Sequence, residues 1–110
     1  MSSESSAVSG VAGRYAAALF ELAEEQKKLD EVAADIAIIR SLLAESDDLR
    51  RLVASPVLGR DAQGKALLAV LEKAGVSVLT RNFAGVVARN RRLFVIDIMC
   101  IGYRQLLAAA

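Results

Sequence analysis

The chain has 110 residues and is 55% hydrophobic but only 5% aromatic, which is typical of a single helical domain with an aliphatic core. Fourteen basic and thirteen acidic residues leave a formal charge of +1, so no strong overall field gathers nucleic acid or anionic lipid. The chain has no histidine, and Cys100 is its one cysteine, which excludes an ordinary Cys/His zinc site and an internal disulfide. We therefore expect no metal and no cofactor.

Residues 1–10 are rich in serine and have neither the basic residues nor the apolar run of a signal peptide, so we expect a flexible leader before one domain over residues 11–110. The first helix is predicted from Val11 to Gln26, because apolar side chains recur there at helical spacing. They cover an arc of roughly 200°, from Ala18 round to Phe20, whereas one core needs a stripe of order 100°. The surplus predicts a second neighbour, and the many alanines would let another helix come close.

The second helix is predicted from Leu29 to Leu43, where apolar residues recur at steps of three and four. Asp35 and Arg40 fall outside that stripe. Ser46 is a predicted N-cap for a short third helix, which should end at Ser55-Pro56 because proline disfavours helical backbone before it.

The fourth helix is predicted to begin with Asp61 as its N-cap and to end at a glycine cap, Gly75. Ser77 is then expected to cap the fifth helix, which runs from Val78 to Arg89. Its predicted inner stripe consists of Leu79, Phe83, Val86 and Val87, beside a second strip of Asn82, Gly85 and Arg89. Gly85 marks either a place where another backbone comes close or a position where glycine is simply tolerated. Asn90 suits the left-handed position after the helix.

The last segment, from Leu93 to Leu107, begins with residue types that favour strands. We predict a helix, because its apolar residues share a helical face and no other convincing strand is available to pair with it. Phe94, Ile98 and Ile101 then form an additional apolar strip. The chain ends without a helix-terminating signal, and we interpret it as a fragment of a longer protein.

Three classes of function were weighed against these features. Catalysis is disfavoured, because no nucleophile lies in a pattern that supplies it with a base. A nucleic-acid-binding domain would use the arginines near one turn, Arg81, Arg89, Arg91 and Arg92, although the small net charge argues against it. A scaffold that receives a partner helix in a groove accounts best for the wide apolar arc of the first helix and the glycine-bearing strip of the fifth.

Two separated motifs point to a family. The first is Tyr15-Ala16-Ala17-Ala18-Leu19-Phe20 in the first helix. The second combines Asn82-Phe83 with Asn90-Arg91-Arg92-Leu93 at the end of the fifth helix. Together, and in this order, they resemble the delta subunit of F-type rotary ATP synthase, which is called the oligomycin-sensitivity-conferral protein in mitochondria. The resemblance extends from about Val11 to Leu107.

The resemblance implies an all-α, compact six-helix bundle that acts as a non-catalytic stator component of a proton-translocating ATP synthase. It implies a groove between the first and fifth helices that binds the N-terminal helix of an alpha subunit of the catalytic head. Carried over by position, the residues that would line this groove are Tyr15, Ala18, Leu22, Asn82, Gly85, Val86 and Arg89.

The resemblance also implies the cellular setting. A C-terminal region outside this chain would hold the b subunits of the peripheral stalk. The complex would place the domain on the cytoplasmic side of the bacterial inner membrane, as a peripheral component without direct membrane insertion. We expect no nucleic acid among its partners.

Overall fold

The predicted breaks between helices are found near their expected places in the computed structural model, which describes residues 10–110. Six α-helices occur in these residues: α1 (Val11–Glu25), α2 (Leu29–Glu45), α3 (Asp47–Ala54), α4 (Arg60–Lys73), α5 (Val78–Arg89) and α6 (Ile96–Ala109), with a short 3-10 helix at Leu93–Val95 before α6. Residues 10–110 contain no strand. The predicted all-α, six-helix bundle is confirmed, whereas the predicted leader lies, apart from Gly10, outside the described residues.

Helix α6 is central to the packing, since one side of it lies against α1 and the other against α2, while α5 packs chiefly against α4. Tyr103 of α6 is completely buried, and its hydroxyl donates a hydrogen bond to the Leu29 carbonyl oxygen at 2.8 Å. Its ring packs against Phe20 of α1 with the centroids 5.8 Å apart. The helix predicted from Leu93 to Leu107 is therefore confirmed, because burial between two helices outweighs the local preference of its first residues for a strand.

Several helix ends behave as predicted. The Leu49 amide donates to Ser46 Oγ at 3.0 Å, as expected of an N-cap. Gly75 has a φ of +89° and ends α4. Its amide donates to the Glu72 carbonyl and the Val76 amide to the Leu71 carbonyl, which is the hydrogen-bond pattern of a Schellman motif.

Two other ends differ from prediction. Gly59 occupies the N-cap of α4, and Asp61 lies inside the first turn, where its charge still complements the helix dipole. At the end of α5, Asn90 keeps a φ of −84° and Arg91 takes the left-handed position with a φ of +60°. The sequence suggested asparagine for that position, but the helix ends at Arg89 as predicted, Asn90 is its C-cap, and the left-handed residue is the next one, Arg91.

Asp35 was predicted to lie outside the buried stripe of α2, and this prediction is wrong. Its side chain is buried and accepts hydrogen bonds from the Ser77 amide at 3.0 Å, from Ser77 Oγ at 2.5 Å and from Thr80 Oγ1 at 2.6 Å. Ser77 stands at the N-cap of α5 as predicted, but its hydroxyl bonds Asp35 instead of the α5 backbone. The carboxylate thus ties the start of α5 to the middle of α2.

No helix in residues 10–110 is both long enough and apolar enough to span a bilayer.

Candidate functional site

Helix α1 has two apolar sides, and only one of them is used inside the bundle. Ala12, Ala16, Leu19 and Ala23 are buried. On the other side Tyr15 and Leu22 are half-buried and Ala18 is exposed. The surplus apolar surface that the sequence indicated is therefore an open surface of the folded domain.

Helix α5 presents the opposite wall. Asn82 and Val86 are exposed, and Leu79 and Phe83 are half-buried. Val86, predicted as part of the inner stripe, keeps 38% of its surface exposed. The buried side of α5 instead consists of small residues and Val87, because this helix packs closely on α4.

Two depressions lie along these two helices, and together they are here called the α1/α5 groove. One end is a depression lined by Leu22, Asn82, Phe83 and Val86, together with Gln26, Lys28, Val78 and Leu79. The other end is a wider depression of about 630 Å³ that includes Tyr15, Ala18, Arg89 and Asn90. Ala18 and Leu22 are one helical turn apart, as are Val86 and Asn90, so the two depressions follow each other along the same pair of helices.

Tyr15 links the two walls where the depressions meet. Its ring contacts Phe83 edge to face, with the centroids 6.2 Å apart. Its hydroxyl accepts a hydrogen bond from Asn90 Nδ2 at 2.9 Å. These contacts fix the orientation of the tyrosine ring.

Gly85 does not line the groove. It is buried on the α4 side of α5, where a Cβ would lie 3.7 Å from Leu68 Cδ1. The tighter position is Gly64 of α4, where a Cβ would lie only 3.2 Å from the Ala88 Cβ. Gly64, not Gly85, is therefore the glycine that allows close packing.

The arginines that the sequence grouped together are divided by the structure. Arg81 points to α4 and forms an ion pair with Glu72 at 3.4 Å. Arg89, Arg91 and Arg92 line the wider end of the groove, together with Arg14 and Arg60. Arg60 reaches this place through the fold, and its guanidinium donates to the Arg89 carbonyl oxygen at 3.4 Å.

A sequence model of the ATP synthase delta (OSCP) subunit family matches residues 11–110. The chain belongs to this family. The resemblance inferred from the two motifs is thereby confirmed.

Full-length relatives extend beyond this chain. An ATP synthase subunit delta of Bradyrhizobium diazoefficiens is 54% identical over 108 residues, which cover 98% of this chain and 58% of the relative. A subunit of the same description from Rhodospirillum rubrum is 52% identical over 109 residues, covering 99% of this chain and 59% of the relative. The chain thus spans less than two thirds of the length of these relatives.

The fold is also found in a solved ATP synthase. A chain in the cryo-EM structure of the F1 head and rotor of Polytomella F-ATP synthase matches with a TM-score of 0.80 at 25% identity, over 92% of this chain and 89% of that one. Family and fold therefore agree.

The one cysteine, Cys100, lies in the core. Cys100 is completely buried in α6, and burial, followed by the nearby charge of Asp97, raises the pKa of its thiol to about 12. A thiol that stays protonated at neutral pH is a poor nucleophile. Cys100 acts as a small core residue.

Sequence reasoning missed several residues of the groove, among them Leu79, Phe83 and Arg60. Leu79 and Phe83 were assigned to the core, because a large apolar side chain on a helix usually faces inward. Arg60 carried no local signal, since it reaches the groove only through tertiary packing of α4 against α5.

Proposed function

We propose that this chain is the N-terminal domain of a delta subunit that holds the catalytic head of an F-type ATP synthase to its peripheral stalk. In this proposal the α1/α5 groove binds the N-terminal helix of an alpha subunit. The domain is a structural, non-catalytic stator component on the cytoplasmic side of the bacterial inner membrane. Contacts with the b subunits of the stalk fall to a part of such a subunit that this chain does not contain.

One observation carries the proposal: the second apolar side of α1 is left open opposite α5. Leu22 is half-buried and lines the same depression as Val86. Ala18, one turn earlier on α1, is exposed and lines the neighbouring depression. An amphipathic helix that laid its apolar side here would remove these residues from water, which is the usual basis of helix-in-groove recognition. Family membership supplies the identity of the partner complex.

The rigidity of the walls fits a stator. A component that resists torque gains from a binding site that does not have to rearrange, because ordering a loose site lowers affinity. Tyr15 is already fixed by Phe83 and Asn90, and α1 is anchored to the central helix α6.

The proposal is tested by calorimetric titration of the 110-residue chain with a synthetic peptide of the cognate alpha subunit's N-terminus. We expect saturable one-to-one binding that persists at high salt, because apolar contacts are not screened. Ala18→Asp and Val86→Asp should each abolish binding while the helical circular dichroism stays near that of the unmodified chain. Ala17→Asp is the matched control, since Ala17 is an exposed alanine of the same helix outside the groove.

Two outcomes would overturn the proposal. Loss of the helical signal in both aspartate variants would mean that Ala18 and Val86 belong to the core. Absence of peptide binding, with salt-sensitive binding of duplex DNA instead, would favour the nucleic-acid alternative.

A further inference from the structure

The wider end of the α1/α5 groove is strongly basic. Five arginines line it, namely Arg14, Arg60, Arg89, Arg91 and Arg92, and no acidic side chain does. We call these five residues the basic end. The depression at the opposite end is mostly apolar and has Lys28 as its one charged lining residue. Along its length, the groove therefore changes from apolar to cationic.

Within residues 10–110, none of these five arginines forms an ion pair with an acidic side chain. Arg40, Arg50, Arg51, Arg81 and Lys28, by contrast, each have a carboxylate partner. The thirteen acidic residues of the chain nearly balance its charge overall, yet none of those within the described residues 10–110 lines this depression. Clustered like charges repel one another and lower the stability of the fold.

Two members of the basic end are placed against a helix dipole. Arg60 is the first residue of α4, and Arg14 lies in the first turn of α1. Positive charge is disfavoured at a helix N-terminus, which already carries partial positive charge. The C-terminus of α5 favours the three remaining arginines, and it also accepts a hydrogen bond from Arg60 through the Arg89 carbonyl oxygen. It does not explain why Arg14 lines the same depression.

Arg91 is placed against a backbone preference as well. Its φ is +60°, in the left-handed region that glycine adopts most readily, and the equivalent position after α4 is occupied by Gly75. Backbone strain of this kind concentrates at functional sites, where another interaction offsets it.

We propose that the basic end binds carboxylate side chains near one terminus of the docked helix and thereby fixes the direction in which that helix lies along the groove. This inference rests on the proposed function, because it specifies the partner of the same groove. The partner is an amphipathic helix whose apolar side covers Ala18, Leu22 and Val86 and whose acidic end lies over Arg89 and Arg91. Arginine is suited to this role, since its planar guanidinium can hold a carboxylate through two parallel hydrogen bonds.

The direct test removes charge from each side of the contact. The probe is the synthetic N-terminal peptide of the cognate alpha subunit, beside the same peptide with its Asp and Glu residues replaced by Asn and Gln. The double variant Arg89→Gln/Arg91→Gln should bind the unmodified peptide about tenfold more weakly at about 0.05 M salt, and by much less at about 0.5 M. Arg104→Gln is the matched control, since Arg104 is exposed on α6 and outside the groove.

A thermodynamic cycle separates this contact from other effects of the variants. The amide peptide should bind the unmodified chain about tenfold more weakly, and the double variant should weaken it no further. The direction of the helix is measured with a spin label at either end of the peptide. A label at the acidic end should broaden the amide signals around Asn90, and a label at the other end those around Val78.

The outcomes distinguish this inference from the proposed function. If the double variant binds the peptide as tightly as the unmodified chain, while Ala18→Asp still abolishes binding, the basic end has no role and the groove proposal stands. The inference is also overturned, and the groove proposal left standing, if the peptide binds in both orientations along the groove. A cognate peptide that contains no carboxylate side chains would have the same consequence. If no peptide binds and the five arginines instead support binding to duplex DNA, both proposals fail.

Discussion

Arg91 and Gly75 occupy the same position, one residue beyond the C-caps of α5 and α4, and both have positive φ, +60° and +89°. The hydrogen bonds around them are also equivalent. The Arg91 amide donates to the Ala88 carbonyl and the Arg92 amide to the Val87 carbonyl. The two helices thus end in the same motif, once with the residue that this backbone favours and once with an arginine that lines the groove.

Replacement of Arg91 by glycine should separate stability from binding. We expect Arg91→Gly to raise the free energy of unfolding by about 0.5–1 kcal/mol. Glycine adopts the left-handed backbone conformation without the steric strain of a Cβ, and the greater conformational entropy of glycine in the unfolded chain cancels only part of this gain. Chemical denaturation followed by circular dichroism measures this change. The same variant should bind the acidic peptide more weakly.

Lys27 provides the control for this prediction. It has a φ of +58° after α1, but it does not line the groove. Lys27→Gly should therefore stabilise the domain by a similar amount and leave peptide binding unchanged. A loss of stability in Arg91→Gly would mean that the arginine side chain makes a stabilising contact within the domain, and the argument from strain would fail.

Asp35 should be among the polar residues that matter most for stability. Replacing it with alanine leaves the Ser77 amide and the Ser77 and Thr80 hydroxyls without their acceptor. We expect Asp35→Ala to lower the free energy of unfolding by about 3 kcal/mol, since unpaired buried donors cost more than the hydrogen bonds contributed. Urea denaturation measures this change in the free energy of unfolding.

Glu45 is the control for Asp35, since it is an exposed acidic residue at the end of the same helix. Glu45→Ala should change stability by less than about 0.5 kcal/mol. Thr80→Val removes one of the three donors and should cost less than Asp35→Ala. Equal effects of Asp35→Ala and Glu45→Ala would show that the buried network contributes nothing.

Asp35 also shows where sequence analysis stops. Periodicity assigns an aspartate to the outer face of a helix, because an isolated buried charge is costly. Its burial becomes tolerable only through Ser77 and Thr80, which are 42 and 45 positions further along the chain. Nothing local in α2 indicates those partners.

The buried and open sides of α1 were easier to predict from the sequence than those of α5. The width of its apolar arc alone indicated two neighbours, and the structure has Ala16 and Leu19 buried while Ala18 faces the groove. In α5 the large apolar residues suggested an inner stripe, but of these only Val87 is fully buried, and small residues such as Ala84 and Ala88 form the rest of the buried side. Small residues give little hydrophobic periodicity in the sequence. The buried side of α5 therefore becomes apparent only from its packing against Gly64 of α4.

Two glycines in the α4–α5 contact should respond in opposite ways to alanine. At Gly85 a new Cβ would meet its nearest neighbours at 3.7 Å, which is an ordinary contact. Gly85→Ala should therefore stabilise the domain by up to about 1 kcal/mol, the difference in helix propensity. Thermal and urea denaturation measure the change.

Gly64→Ala is the comparison for Gly85. Its Cβ would lie 3.2 Å from the Ala88 Cβ, so α4 and α5 must move apart slightly. We expect this variant to gain nothing or to lose about 1 kcal/mol, because overpacking offsets the better propensity. Gly85→Ala should bind the peptide as tightly as the unmodified chain. Weaker binding would mean that Gly85 does line the groove.

The last prediction concerns pH and the buried thiol. Burial raises the pKa of Cys100 from its ordinary value of 9.0 to about 12, so the unfolded chain loses this proton at lower pH than the folded domain. Between these values the folded state binds more protons, and stability must fall as pH rises. The contribution of the protonated Cys100 thiol to the free energy of unfolding is present below pH 9. It should decrease by about 1.4 kcal/mol between pH 7 and pH 10.

Denaturation curves of the unmodified chain and of Cys100→Ala, measured from pH 7 to pH 10, isolate this effect. Tyr103 titrates in a similar way, since burial raises its pKa to about 12, but it is present in both proteins and cancels in the difference. Cys100→Ala should be less stable at pH 7, because it leaves a small cavity, and its stability should fall less steeply with pH. Parallel pH profiles would mean that the thiol ionises at the same pH in the folded and unfolded states, and hence that Cys100 is accessible to water.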